Sequence, residues 1–420
     1  MLKRSWVKSA NRPETDFPIQ NLPYGVFSEW GGQARCGVAI GDFVLDVAAL
    51  EAAGIIALSG GQPLLQDGRW NPLMAAGPEF WAALREKLVA LLEEDAAERS
   101  AVEPHLVPLA QADLHMPLAV SEYTDFYAGR HHAFNVGSMY RGPENALPAN
   151  WLSIPIGYNG RASSVVVSGT PVRRPWGQVK PAGAELPQFA PSARFDFELE
   201  LGAIVGTSSN GMISVAEADD MIFGFVLLND WSARDIQTWE YQPLGPFQAK
   251  ASATTISPWI VTKAALEPFR VSTPPRDRLL LPYLQELRPL NFDIRLEVGL
   301  NPPGMSETVI CRTNTRELYY SAAQQLAHHA SCGCPMSTGD LLGSGTISGP
   351  ERENRGSLLE LTWNGQEPLV LADGQAHGFL EDGDRLTIRG HAQGVGYRIG
   401  FGPCSGEVLP PVKLPNWAGG

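Results

Sequence analysis

The sequence predicts a mainly β, α+β protein built from two domains. The chain has 420 residues, and 44% of them are hydrophobic, which is enough to bury a sizeable core. The 43 glycines and 34 prolines make up about 18% of the chain, above the roughly 12% of an average protein. Both residue types favour turns over long helices. Short apolar runs lie between these turns, as is typical of strands.

The N-terminal domain is predicted to cover residues 1–117 and the C-terminal domain residues 118–420. Two short apolar runs on either side of Gly41-Asp42 predict a β-hairpin. Residues 79–99 predict a helix, because large apolar residues recur there at helical spacing with charges between them. An extended, proline-containing stretch then leads to the domain boundary.

The C-terminal domain alternates predicted strands with turns. The clearest strands are residues 164–168, 340–346 (running into a turn) and 385–389. A helix is predicted over residues 316–330, with Asn314 as its N-cap and Glu317 completing a capping box. The proline-rich stretch 171–191 predicts a long loop.

Charge and composition exclude several classes of function. The formal net charge is −13, whereas a nucleic-acid binder needs a basic face. The longest apolar run, residues 221–228, is far shorter than the ~18 residues that cross a bilayer. The basic N-terminus is not followed by the apolar stretch of a secretory signal. We therefore expect a cytoplasmic protein with neither nucleic-acid nor membrane partners, and reduced thiols rather than a zinc site at Cys332 and Cys334.

Residues 194–201 predict a strand with an acidic face. Single apolar residues separate Asp196, Glu198 and Glu200, which would share one side of the strand. One interpretation is an amphipathic strand whose acids face solvent. The other is a site for a hard cation such as Mg²⁺ or Ca²⁺, which would relieve the repulsion between the carboxylates. Asp230, at the end of the next long apolar run, could join such a site.

Two further segments carry chemically suitable side chains. Arg234, Gln237 and Tyr241 have the spacing of one helix face, which could hold an anionic oxygen or could simply be a polar surface. Lys250 follows in a turn-rich segment, where loops often carry function. Earlier in the chain, His131 and His132 lie close to an aspartate and two tyrosines, and spacing alone does not decide which of them could act as a base.

Several long motifs together resemble the fumarylacetoacetase family. These motifs are residues 16–27, 123–127, 160–169, 197–200, 229–237, 339–350 and 396–402. The resemblance covers nearly the whole chain, including an N-terminal domain that shorter relatives lack. It implies a small N-terminal SH3-like barrel, a larger C-terminal β-roll of the fumarylacetoacetase type, and a homodimer.

The resemblance also assigns roles to individual residues. It implies metal ligands at Asp125, Glu198, Glu200 and Asp230, and a second Mg²⁺ near Lys250 and Thr254. It makes His132 the general base, with Glu360 as its partner carboxylate, and Arg234, Gln237 and Lys250 the groups that stabilise the oxyanion. It implies substrate contacts from Tyr127, Arg141, Tyr158, Gln237, Tyr241 and Thr346.

The activity implied is hydrolysis of the carbon–carbon bond of 4-fumarylacetoacetate to fumarate and acetoacetate, the last step of tyrosine and phenylalanine degradation. The cofactor would be a divalent cation, Mg²⁺ or Ca²⁺, with Mn²⁺ as a further option. The alternatives are a related metal-dependent hydrolase or decarboxylase of another 2,4-diketo acid, of the acylpyruvate type, and a catalytically silent metal-binding protein. The combination of His132, Glu360 and Lys250 argues against the silent protein.

Overall fold

The computed structural model describes residues 2–58, 62–372 and 374–414. Its N-terminal part contains one antiparallel sheet in the order β4-β3-β2-β1-β5 and four α-helices. The strands are β1 (Tyr24–Glu29), β2 (Arg35–Ile40), β3 (Phe43–Asp46), β4 (Leu106–Pro108) and β5 (Ala112–His115), and the helices are α1 (Val47–Ala52), α2 (Asn71–Ala76), α3 (Pro78–Leu92) and α4 (Arg99–Val102).

The predicted hairpin is confirmed. Strands β2 and β3 pair with Ile40 opposite Phe43, so Gly41 and Asp42 form a two-residue turn. Gly41 adopts a positive φ of 57°, which glycine tolerates without steric cost. The predicted helix 79–99 is correct in kind but too long. Helix α3 ends at Leu92, because Glu93 takes an extended conformation.

The C-terminal part holds 22 short strands and seven α-helices in the described residues. The strands are β6 (Tyr123–Phe126), β7 (Gly157–Asn159), β8 (Val165–Val167), β9 (Val172–Arg173), β10 (Trp176–Val179), β11 (Gln188–Pro191), β12 (Phe195–Asp196), β13 (Leu199–Val205), β14 (Ile222–Asp230), β15 (Ser232–Ala233), β16 (Thr254–Ile256), β17 (Val261–Thr262), β18 (Arg270–Val271), β19 (Asn291–Phe292), β20 (Arg295–Asn301), β21 (Thr308–Asn314), β22 (Leu341–Gly343), β23 (Leu369–Val370), β24 (Ala376–His377), β25 (Arg385–Gly394), β26 (Tyr397–Gly400) and β27 (Cys404–Leu409). The helices are α5 (Arg130–Arg141), α6 (Val215–Met221), α7 (Arg234–Glu240), α8 (Gln248–Ala251), α9 (Lys263–Leu266), α10 (Ala322–Ala330) and α11 (Leu358–Leu361).

Two larger sheets organise this part. The eight-stranded sheet runs β7-β6-β22-β13-β14-β16-β8, with β17 also paired to β14. The six-stranded sheet runs β21-β20-β25-β27-β9, with β26 paired to β25. The chain is thus a mixed α/β protein dominated by sheets, as predicted. None of the helices in the described ranges is long and apolar enough to cross a membrane.

Two local predictions in this part need correction. Asn314 does cap a helical turn, but that turn is the 3₁₀ segment Thr315–Glu317. The true capping box lies seven residues later, where Ser321 and Gln324 begin helix α10. The proline-rich stretch 171–191 is not all loop, because β10 and β11 pair within it as an antiparallel hairpin.

The two parts of the chain share a hydrophobic core. Tyr24 of β1 exchanges backbone hydrogen bonds with Ile260, and it packs in one cluster with residues of β14 such as Val226 and Leu228. The N-terminal part therefore covers one face of the eight-stranded sheet, and its buried side chains support the strands that carry the site described next.

Candidate active site

Four buried carboxylates come together near the ends of three strands of the eight-stranded sheet. Asp125 lies on β6, Glu200 on β13 and Asp230 at the end of β14, while Glu198 immediately precedes β13. One oxygen from each carboxylate lies within 4.8 Å of the others. Strand β22, between β6 and β13, places Gly343 opposite Asp125, so no side chain from that strand intrudes.

The cluster has the properties of a site for a hard divalent cation. Asp125 Oδ1 and Glu200 Oε1 are buried and have no hydrogen-bond partner among the described residues. Burial, together with the neighbouring carboxylates, raises the pKa of both side chains well above their ordinary values. A divalent cation would remove this repulsion, and an all-oxygen donor set suits Mg²⁺ or Ca²⁺. The four residues therefore fit the cation implied by the resemblance.

Lys250 bridges two of these carboxylates. Its Nζ donates to Asp230 Oδ2 at 2.7 Å and also pairs closely with Glu198 Oε2. Burial lowers the pKa of Lys250, but the charges of Asp230 and Glu198 more than compensate, so that its pKa is raised and the ammonium form persists. Thr254 Oγ1 donates to Asp230 Oδ1 at 3.2 Å. A protonated lysine has no lone pair for a metal, so Lys250 supplies positive charge here.

His132 and Glu360 form a buried pair beside the carboxylates. His132 lies in the first turn of α5, and its Nδ1 is 2.6 Å from Glu360 Oε2. Its Nε2 is 3.9 Å from Glu198 Oε1, so the ring links the pair to the carboxylate cluster. His131 points elsewhere, with Nε2 3.5 Å from Glu317 Oε2, and does not line the cavity.

Glu360 accepts hydrogen bonds from three side chains that the sequence analysis did not single out. Asn135 Nδ2 donates to Oε1 at 2.9 Å, while Ser348 Oγ and Ser357 Oγ donate to Oε2 at 3.0 and 2.8 Å. Burial raises the pKa of Glu360, but His132, Asn135 and Ser357 outweigh it and lower the pKa below its ordinary value. Two signals were available in the sequence: Asn135 lies one turn after His132, and Ser357 precedes Glu360 at capping-box spacing.

Arg234 joins the acidic segment to the cavity. Its Nε donates to Asp196 Oδ2 at 2.8 Å, and its Nη1 donates to Glu198 Oε1 at 2.7 Å and Gln237 Oε1 at 3.1 Å. Its Nη2 has no partner among the described residues and remains a free donor. The predicted helix face is thus present on α7, with Arg234, Gln237 and Tyr241 all lining one cavity.

Of the two interpretations of residues 194–201, the amphipathic strand whose acids face solvent is wrong. Residues 195–201 are all buried, and the segment is interrupted at 197–198 between β12 and β13. Asp196 belongs to a structural network, because it accepts hydrogen bonds from Arg234 and from the backbone N–H groups of Leu358 and Leu359. Only Glu198 and Glu200 of this segment join the carboxylate cluster.

A single cavity of about 360 Å³ collects most of the predicted site residues. Those that line it are Asp125, Tyr127, His132, Arg141, Tyr158, Glu198, Arg234, Gln237, Tyr241, Lys250 and Thr346. Glu200, Asp230, Thr254 and Glu360 do not line it and lie behind this layer, in contact with residues that do or with the carboxylate cluster. Acids, a base and cationic donors therefore face one space large enough for a small organic acid.

Sequence comparisons identify relatives of this chain. The family model "Fumarylacetoacetate (FAA) hydrolase C-terminal" matches residues 122–409, and "Fumarylacetoacetase N-terminal" matches residues 20–117. The chain is 50% identical to the fumarylacetoacetase of Bos taurus over 411 residues, covering 96% of this chain and 98% of that protein. It is 48% identical to the fumarylacetoacetase of Arabidopsis thaliana over 412 residues, covering 94% and 96%.

Solved structures share the fold at much lower identity. A fumarylacetoacetate hydrolase from Exiguobacterium antarcticum aligns with a TM-score of 0.53 and 17% identity, covering 93% of this chain and 99% of that chain. A maleylpyruvate hydrolase from Sphingobium aligns with a TM-score of 0.51 and 18% identity, covering 93% and 100%. With half of its residues shared with relatives along almost their entire length, the chain belongs to the fumarylacetoacetase family.

Proposed function

We propose that this chain is a hydrolase that cleaves the carbon–carbon bond of 4-fumarylacetoacetate to fumarate and acetoacetate, the last step of tyrosine and phenylalanine degradation. The observation that carries the proposal is a cavity lined by His132, which Glu360 holds from behind, and by Asp125 and Glu198 of the cluster of four carboxylates. The near full-length identity to fumarylacetoacetases supports the same substrate.

His132 is suited to activate water. Its Nδ1 is bound to Glu360, so Nδ1 carries the hydrogen and Nε2 is left with a free lone pair on the cavity side. Nε2 takes a proton from water as the water oxygen attacks the carbonyl carbon of the fumaryl group. Glu360 stabilises the imidazolium that results and keeps the ring oriented, as carboxylates do in catalytic triads.

The leaving group is a carbanion, and nearby positive charge must stabilise its negative charge. A divalent cation bound by Asp125, Glu198, Glu200 and Asp230 would act as a Lewis acid toward the diketo oxygens. Arg234 Nη2, the Gln237 amide and the Lys250 ammonium are the donors for the oxyanion and the acetoacetate enolate. The proton held by His132 completes acetoacetate once the carbon–carbon bond has broken.

The remaining cavity residues bind the substrate in this proposal. Arg141 lies at the rim, where its guanidinium suits a terminal carboxylate of the diacid. Tyr127, Tyr158 and Tyr241 offer phenol groups, and Thr346 Oγ1 is buried without a partner among the described residues. Each supplies a donor to an oxygen-rich substrate.

The test is a turnover assay with the purified full chain. We expect the diketone absorbance of fumarylacetoacetate to disappear, with fumarate and acetoacetate formed in equal amounts. Activity should vanish after extensive chelation and return with Mg²⁺ or Ca²⁺, and the comparison of these two ions with Mn²⁺ identifies the preferred cofactor. Turnover by a preparation shown by elemental analysis to be metal-free would contradict the metal centre.

The same assay distinguishes fumarylacetoacetate from the alternative class of substrates. Acylpyruvates whose acyl group carries no carboxylate should react at least tenfold more slowly, as judged by kcat/KM, because they lack the second carboxylate that Arg141 is proposed to bind. Preferred turnover of an acylpyruvate would instead establish the related hydrolase or decarboxylase.

Several finer features belong to the same proposal. The division into domains at residues 117 and 118 is supported by the two separate family matches. The five-stranded N-terminal sheet is consistent with an SH3-like barrel, which stays a prediction, as do the homodimer, the cytoplasmic location and a second Mg²⁺ near Lys250 and Thr254.

A further inference from the structure

Tyr123 is a buried tyrosine whose hydroxyl has no hydrogen-bond partner among the described residues. It lies on β6 two residues before Asp125, so both side chains project from the same face of the strand. The side chain is 3% exposed, and its ring packs where a side chain on Gly160 would otherwise lie. Buried hydroxyls normally find partners, so this one needs an explanation.

The hydroxyl borders the carboxylate cluster. A Cβ placed on Gly343 would be 2.8 Å from Asp125 Oδ1, 2.8 Å from Glu200 Oε2 and 3.0 Å from Tyr123 Oη. The three oxygens therefore surround one small space beneath the cluster. Asp125 Oδ1 likewise lacks a partner among the described residues, so a donor and an acceptor are both left open here.

The substrate does not account for the Tyr123 hydroxyl. Among the described residues, those that line the cavity include Asp125 but not Tyr123. Tyr123 instead packs in the core shared with the N-terminal part of the chain. A partner for the hydroxyl must therefore lie on the side of the carboxylates, where the Thr254 side chain, whose Oγ1 donates to Asp230, is also close to it.

We propose that Tyr123 is a positioning residue for the divalent cation, and that its hydroxyl donates a hydrogen bond to the Asp125–Glu200 carboxylate pair in the metal-loaded protein. A phenol at neutral pH is protonated and can donate to a carboxylate. Partners of this kind orient metal ligands, and their loss typically weakens metal affinity or activity by about 10–100-fold. This inference rests on the metal centre of the proposed function.

The test is a calorimetric titration of the metal-free full chain with Mg²⁺. We expect Tyr123→Phe to raise the Kd for Mg²⁺ by about 10–100-fold. Tyr319→Phe is the matched control, because the Tyr319 hydroxyl is also buried without a partner among the described residues but is not next to the carboxylates. The Tyr319→Phe substitution should leave the Kd for Mg²⁺ unchanged.

The titration separates two outcomes. If the unaltered chain binds no Mg²⁺, the proposed metal centre is wrong. If the unaltered chain binds Mg²⁺ and Tyr123→Phe binds it equally well, only the proposed role of Tyr123 is wrong.

Thermal unfolding distinguishes this role from a merely structural one. Without metal, Tyr123→Phe should unfold at the same or a higher temperature, because it removes an unpartnered hydroxyl. With Mg²⁺, the increase in unfolding temperature should be smaller than in the unaltered chain, and excess Mg²⁺ should restore kcat. A lower metal-free unfolding temperature with an unchanged Kd would overturn the inference. If Tyr123→Phe does not fold, Tyr123→Met allows the same titration.

Discussion

Glu360 shows how a fully buried carboxylate can remain charged. Burial alone favours its protonated form, yet it accepts hydrogen bonds from His132, Asn135, Ser348 and Ser357. Of these, His132, Asn135 and Ser357 lower its pKa below the ordinary value despite burial. A charged Glu360 in turn favours the hydrogen on Nδ1 of His132, which Nε2 requires for its proposed role as the base.

Replacing Glu360 therefore tests the base directly. Glu360→Gln keeps the shape but removes the charge, and we expect kcat to fall by about 10²–10⁴-fold, as when the carboxylate of a triad is neutralised. The Kd for Mg²⁺ should change little, because Glu360 is not part of the carboxylate cluster. Glu317→Gln is the control, since Glu317 contacts His131 instead. An equal fall in kcat in Glu360→Gln and Glu317→Gln would contradict the assignment of His132, rather than His131, as the base.

The same substitution has a defined pH dependence. Because the pKa of Glu360 is lower in the folded chain than in the unfolded chain, its ionisation stabilises the fold. This stabilisation is complete above the unfolded pKa of about 4.3 and is lost as the pH falls through the folded pKa. Urea unfolding should show a constant stability difference between the original chain and Glu360→Gln above about pH 5, and a shrinking one below about pH 4. A difference that grows in acid would be inconsistent with a lowered pKa.

Asp196 ties three secondary-structure elements together. It ends β12, accepts the backbone N–H groups of Leu358 and Leu359 at the start of α11, and binds Arg234 at the start of α7. Helix α11 carries Glu360 and helix α7 carries Gln237. One carboxylate outside the cavity therefore helps to set the relative position of the His132–Glu360 pair and of the proposed oxyanion donors on α7.

We expect Asp196→Asn to reduce activity through these elements. An amide cannot accept all of these hydrogen bonds, so a buried donor is left unpaired, at a cost of about 1–3 kcal/mol in unfolding free energy. Activity should fall while the Kd for Mg²⁺ stays within a few-fold. Asp235→Asn offers a comparison, because Asp235 binds Ser192 Oγ and Ala193 N away from the cavity. A loss of Mg²⁺ binding in Asp196→Asn would instead place Asp196 in the metal centre.

The elements also show what sequence alone can predict. The hairpin at Gly41-Asp42 and the shared face of Arg234, Gln237 and Tyr241 depend on neighbours in the chain, so local patterns reveal them. The burial of residues 195–201 depends on strands and helices far along the chain, so alternation alone could not decide between a solvent-facing and a metal-binding acidic side. The resemblance supplied His132 rather than His131, because distance to Glu360 is a tertiary property.

At the scale of the whole molecule, the carboxylate cluster and the N-terminal part depend on the same strands. Strands β6 and β14 carry Asp125 and Asp230 of the carboxylate cluster, and β22 lies between β6 and β13. They also contribute Tyr123, Leu228 and Leu341 to the core that packs against the N-terminal part. Strengthening these strands should therefore stabilise both parts of the chain together.

Metal binding should accordingly stabilise the whole chain as one unit. At a Mg²⁺ concentration of 100 times Kd, binding to the folded state alone adds about 2.7 kcal/mol to the unfolding free energy. We expect calorimetry to show one transition that moves to higher temperature with Mg²⁺, and proteolysis of the N-terminal part to slow in parallel. Glu317→Gln should respond to Mg²⁺ as the original chain does, since it lies outside the cluster. If the two parts are coupled through the shared core, stabilisation of β6, β14 and β22 by the metal also stabilises the N-terminal residues packed against these strands. A separate N-terminal transition whose temperature does not change with Mg²⁺ would show that the two parts are not coupled in this way.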